Sequence, residues 1–146
     1  MKSPWARVLV IVAVALFVAP CVAQGNRTKP IPVEVWCGGD DGLTMRLRDT
    51  LENAVKLSPY FSLSSGKIPG TLVVTIPTNV GWEQFGGRVR VFYSVEFASA
   101  DDQFIGKITG ACWDDKLTIC AAQIIKNAKV ASRKVETSEM RRRPQL

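Results

Sequence analysis

The chain has 146 residues and a formal charge of +6, and it contains no histidine. That absence excludes Ser-His-Asp and Cys-His nucleophile pairs, His-ligated zinc and an imidazole general base. The length suits one domain with one modest core.

The amino terminus carries Lys2 and Arg7, then the unbroken apolar run Val8 to Ala19, then Pro20-Cys21-Val22-Ala23. A positive start, a short apolar stretch and small residues form the layout of a secretory signal peptide over residues 1–23, with cleavage after Ala23. The run is short of the roughly 20 apolar residues that a membrane-spanning helix needs. The expected localisation is therefore periplasmic or secreted. Val18-Ala19-Pro20-Cys21 also resembles the end of a bacterial lipoprotein signal, except that Pro20 replaces the usual small residue. Lipidation of Cys21 and outer-membrane anchoring form the secondary reading.

Residues 24–29 (QGNRTK) read as a leader. Lys2 and Arg7 leave with the signal, so the +6 falls to +4. Five basic and two acidic residues from Arg133 onward contribute +3 of that, which leaves about +1 on the folded part. Such a balance is too small for a nucleic-acid footprint.

The elements follow in chain order. Pro32 to Cys37 alternates in polarity and predicts a strand. Gly38-Gly39-Asp40-Asp41 is a turn supplying a helix cap. Leu43, Leu47, Leu51 and Val55 recur every four residues and predict a helix from Gly42 to Ser58, stopped by Pro59. Tyr60 to Ser64 suggests a short strand and Thr71 to Ile76 a second. Pro77 to Gly87 reads as a long hairpin connection. Arg88 to Ala98 places Val89, Val91, Tyr93, Val95 and Phe97 on one face of a strand. Phe104 to Trp113 returns as a strand, bent near Gly106 and Gly110. Asp114-Asp115 caps a second helix, from Lys116 to about Lys134. The domain is expected over residues 30–134, with a disordered basic tail over 135–146. The order β-α-β-β-β-β-α implies an α+β fold, an antiparallel sheet of four to five strands with two helices packed on one face.

Cys37, Cys112 and Cys120 survive signal cleavage. Export permits a disulfide, and an odd number leaves one thiol free. Cys112 and Cys120, on adjacent elements, form the leading pair. Cys37–Cys120, Cys37–Cys112 and three free thiols remain as alternatives. The spacing suits no zinc site, and no metal or cofactor is expected.

The connection around Trp82 is the candidate partner-binding surface. Trp82, Phe85 and Asn79 occupy a Gly-rich, polar stretch, where large aromatics are potential interface anchors. The competing reading folds both rings back over the sheet edge. Phe92, opposite in facing to Tyr93, adds apolar area with Trp113. The pairs Asp40-Asp41, Asp101-Asp102 and Asp114-Asp115 allow a carboxylate hydrolase, but each sits at a turn or helix start, where capping is the preferred reading. Arg141, Arg142 and Arg143 allow a weak membrane-surface contact, set against a solubilising tail.

The element order across Pro32 to Lys134 resembles small Gram-negative envelope accessory domains. Examples are the amino-terminal domain of the Tol periplasmic protein and the outer-membrane activators of penicillin-binding proteins. This resemblance implies a non-enzymatic protein that binds another envelope or secreted component. A secreted inhibitor or immunity protein is the alternative function, and a small carboxylate-based hydrolase the second alternative.

Overall fold

A computed structural model describes residues 29–66 and 68–142. The expected signal segment with Cys21, residues 24–28 of the leader, and Arg143 lie outside them. The order is β1 (Ile31–Cys37), α1 (Gly42–Leu57), β2 (Phe61–Leu63), β3 (Leu72–Ile76), β4 (Gly81–Phe85), β5 (Arg88–Ser99), β6 (Phe104–Trp113), a 3-10 turn (Asp114–Lys116) and α2 (Leu117–Arg142).

β5 is the spine of the sheet. Its alternation buries Val91, Tyr93, Val95 and Phe97 and turns Arg90, Phe92, Ser94 and Glu96 the other way. Both helices cover the first face. The stripe Leu47, Leu51 and Val55 of α1 is buried there, with Cys120, Ala121, Ile124 and Ala128 of α2. Fully burying one such aliphatic side chain stabilises the fold by about 1.5–3 kcal/mol. The fold is α+β, with both helices on one face of a mostly antiparallel sheet.

Three details depart from the sequence expectation. First, β1 pairs parallel with β2 and with β3, so the sheet is mixed rather than wholly antiparallel. The chain must cross over α1 before it returns to the sheet, and such a crossover brings the next strand back parallel. Second, the expected long connection contains a strand. β6 lines one edge of β5, so β3 and β4 share the other, with β3 opposite Thr75–Glu96 to Leu72–Ser99 and β4 opposite Gly81–Phe92 to Phe85–Arg88. Residues 77–80 form the only interruption between them. Gly86 and Gly87 then make a two-residue turn with φ of 52° and 82°, the left-handed pair that matches hairpin twist. Third, α2 continues to Arg142 instead of stopping near Lys134, and Val135 in the expected tail is buried. The apolar period of α2 extends to Val135, and the following two turns propagate a helix that is already nucleated.

Cys112 and Cys120 are joined by a disulfide, with Cα atoms 5.8 Å apart, and Cys37 is free and half-buried. The bridge ties the end of β6 to the first turns of α2. Closing so short a loop stabilises by roughly 2–3 kcal/mol in the chain-entropy description. Replacing both cysteines by Ala should lower the unfolding free energy by at least that amount in a urea titration, and the wild type under reducing conditions should show a similar loss.

Candidate functional site

Among the described strands, β4 stands out for its exposure. All five residues of β4 are exposed. A local network fixes where it starts. Asp41 caps α1, its Oδ1 accepting from the backbone N–H groups of Leu43 (2.9 Å) and Thr44 (2.8 Å). The Thr44 hydroxyl donates to Asp41 Oδ2 (2.7 Å) and accepts from the backbone N–H of Val80 (2.9 Å). Asn79 Oδ1 accepts from the N–H groups of Asp40 (2.8 Å) and Asp41 (3.4 Å). A side chain at Gly38 would run into the Pro77 carbonyl, so this position needs glycine for the two loops to touch. Residues 79 and 80 are therefore bolted to the start of α1, and β4 leaves from that fixed point.

The structure separates the aromatic pair that the sequence places together. Trp82 faces Val91 across the hairpin and so lies on the helix side, whereas Phe85 faces Arg88 and lies on the open side. Trp82 is 62% exposed and borders a shallow cleft of about 480 Å³ with Leu43, Val80, Val89, Asp41 and Asp114. Asn79 lines the same cleft, with its side-chain oxygen engaged by the N–H groups of Asp40 and Asp41. Neither ring folds back as a lid on the core.

On the open side, Phe85 meets Trp113 edge to face at 6.3 Å between centroids. The Arg88 guanidinium lies 4.2 Å above the Trp113 ring and 3.3 Å from an Asp115 carboxylate oxygen. Arg90 stands 5.6 Å from the Phe92 ring. Aromatic rings and guanidinium groups thus alternate along one face, with stacking holding the arginine planes in fixed orientations. The sequence pointed to Phe92 and Trp113, but Arg88 and Arg90 were missed. The alternation of β5 puts both arginines on the face of Phe92, and that was the available signal. The register that sets Trp113 opposite Arg90 is a tertiary property.

The acidic pairs behave as caps and turns. Asp41 has its carboxyl held below the ordinary value of 3.8, chiefly by the backbone N–H and then the hydroxyl of Thr44. Asp114 and Asp115 do not cap the second helix as expected. They lie inside the 3-10 turn, whose N-cap is Trp113 with no side-chain cap hydrogen bond, and Asp115 turns to Arg88 instead. Asp102 occupies a turn with φ of 59°. Among the described residues no three His, Cys, Asp or Glu side chains group as a metal would require. No helix among them is long and apolar enough to cross a membrane.

No family model matches the chain. No curated protein matches it either. Three solved structures are similar, and one of them shares its fold. A protein of Xanthomonas campestris from the family DUF330 is similar at 10% identity, with a TM-score of 0.52 over 77% of this chain and 93% of that one. A minor lipoprotein from Acinetobacter baumannii shows 11% identity and a TM-score of 0.48, covering 73% of this chain and 93% of its own. PelC from Paraburkholderia phytofirmans shows 14% and 0.42, covering 70% and 86%. The likeness to the first is one of fold alone. The naming after Tol and penicillin-binding-protein activators, drawn from element order, gains no support from these three.

Two outcomes follow from the network. Thr44→Val keeps the volume but leaves the Val80 N–H buried without an acceptor, which should destabilise by about 1–3 kcal/mol in urea unfolding. Asp41 stabilises the fold in its ionised form, because its folded pKa is depressed. Its contribution is complete above the ordinary value of 3.8 and is lost as pH falls through the lower folded value. The gap in melting temperature between wild type and Asp41→Asn should therefore be widest near neutrality and close in acid.

Proposed function

We propose that this chain is an exported, non-enzymatic accessory protein of the bacterial cell envelope, and that it binds a protein partner through the β4–β5 hairpin. The observation that carries the reading is the exposure of all five β4 residues on a hairpin fixed at its base. A rigid hairpin loses little conformational freedom when it docks. Trp82 anchors one side, and the face of Phe85, Arg88, Arg90, Phe92 and Trp113 serves the other. Tryptophan, tyrosine and arginine are the residue types that dominate protein interfaces. The free edge of β4, paired on one side only among the described residues, can add a strand from the partner.

Secretory export rests on the apolar run Val8 to Ala19 and its small-residue end. Binding rather than catalysis is favoured by the engagement of Asp41 in a helix cap and of Asp115 with Arg88. One feature also suits an inhibitor or immunity protein. The hairpin ends in the slender turn Gly86-Gly87, which can enter the cleft of a lytic enzyme.

The test compares wild type, Trp82→Ala and Arg88→Ala as baits for envelope extracts. Truncating an interface anchor typically costs about 2 kcal/mol or more, a loss of roughly 30-fold in affinity. Trp82→Ala should keep nearly wild-type stability, since the ring is largely in solvent, while losing its partner. A captured resident assembly supports the accessory reading, and a captured hydrolase the inhibitory one. Unchanged capture by both variants would refute the hairpin as the binding surface.

A further inference from the structure

The two ends of the molecule differ in chemistry. β5 runs the length of the sheet, so Ser99 and Arg88 stand about 35 Å apart at the usual rise per residue. The hairpin tip lies at the Arg88 end. At the other end, the Ile31 N–H donates to the Tyr60 carbonyl (2.9 Å) where β1 begins. The last buried turn of α2 arrives there as well, since Lys29, Tyr60, Lys129, Arg133 and Glu136 line one cleft. A neighbouring cleft brings Ile68 beside Pro30 and Val135. This pole therefore collects the entry of the chain, the end of α1, the β2–β3 loop, the β5–β6 turn with Asp101 and Asp102, and the end of α2.

Large apolar side chains are exposed at this pole without forming a core. Leu57 is 85%, Tyr60 52%, Ile68 52% and Met140 69% exposed. Three of the four have a cation next to them, Leu57 and Met140 in sequence and Tyr60 in space. Lys56 precedes Leu57, Arg141 follows Met140, and Lys129 holds its ammonium 3.3 Å from the centroid of the Tyr60 ring. Arg133 and Lys134 are exposed on the last turns of α2. At this pole Glu136, Asp101 and Asp102 offset only part of the positive charge, whereas at the hairpin pole Asp40, Asp41, Glu83, Asp114 and Asp115 outnumber Arg46, Arg88, Arg90 and Lys116.

We propose that the pole around Lys29 is a membrane-contact surface for an anionic bilayer. Scattered aliphatic and aromatic side chains next to long cationic ones suit the headgroup region. The apolar parts enter the acyl boundary while ammonium and guanidinium groups stay with phosphates. A protein interface would instead gather its apolar side chains into one desolvated centre. A molecule seated this way directs the β4–β5 hairpin away from the bilayer. The inference does not depend on what the hairpin binds.

The chain from Gln24 onward, which carries neither the apolar run nor Cys21, is co-sedimented with phosphatidylcholine vesicles with and without phosphatidylglycerol. Binding is expected only with the anionic lipid and should weaken as salt is raised. Arg133→Gln and Lys134→Gln should each reduce vesicle affinity about fivefold. Leu57→Ser with Met140→Ser should weaken the binding that persists at high salt. Arg88→Gln with Arg90→Gln, at the far pole, should leave it unchanged. All these side chains are exposed, and circular dichroism with the urea midpoint verifies that each variant is folded. No binding to anionic vesicles would overturn the proposal. So would an equal loss from the hairpin variant, or binding to soluble polyglutamate without binding to vesicles.

Discussion

One-sided burial of the sheet governs the rest of the structure. The side chains of β5 alternate, and Val91, Tyr93, Val95 and Phe97 are covered by α1 and α2. Strand geometry then sends Arg90, Phe92, Ser94 and Glu96 to the opposite side, where no helix lies among the described residues. Every cross-strand partner inherits that choice. Trp36 stands beyond Thr75 in the row of Glu96 and is 51% exposed on the open side. Trp113 and Phe85 reach the same side through their pairing with Arg90 and Arg88. The aromatic–arginine face is thus the geometric complement of the core.

The second constraint is the junction between α1 and residues 79 and 80. β3 and β4 use the same edge of β5, yet the register changes between Thr75–Glu96 and Gly81–Phe92. The extra residues in this connection are held by Asn79 and by the Thr44 hydroxyl, so the irregularity is a fixed corner. Thr44 is fully buried and bonds both to the cap carboxylate and to the connection. One side chain therefore couples the start of a helix to the departure of the hairpin. Irregularities of this kind re-aim a strand, and here the re-aimed strand carries Trp82.

The helices also give the molecule its polarity. α1 and α2 both begin beside the hairpin, where Asp41 and Asp114 lie against one cleft, and both end at the pole of Lys29. Carboxylates favour helix starts and cations favour helix ends, through the helix dipole. Two helices pointing the same way along a sheet thus sort charge between the ends of a small domain. The basic side chains of the last turns of α2 stabilise the helix and also build a cationic end.

The sequence alone determined the local elements. Period-four leucines marked α1, alternation marked β5, and Asp41 marked a cap, because these signals arise from residues close in the chain. The α+β class followed from their order, and Cys112 and Cys120 stood out because adjacent elements carry them. The tertiary structure decided what depends on partners distant in the chain. Parallel pairing of β1 with β3 requires the crossover through α1, and no local pattern records it. β4 read as a loop because Trp82, Glu83 and Gln84 lack alternating polarity. A strand exposed on both faces has no core side to impose that alternation, and its pairing with β5 holds it. Trp82 and Phe85 read as one patch because they lie only three positions apart, but with a strand's period of two an odd spacing sends them to opposite faces. The partners of the Asn79 side-chain oxygen, the N–H groups of Asp40 and Asp41, lie across a turn that only folding closes.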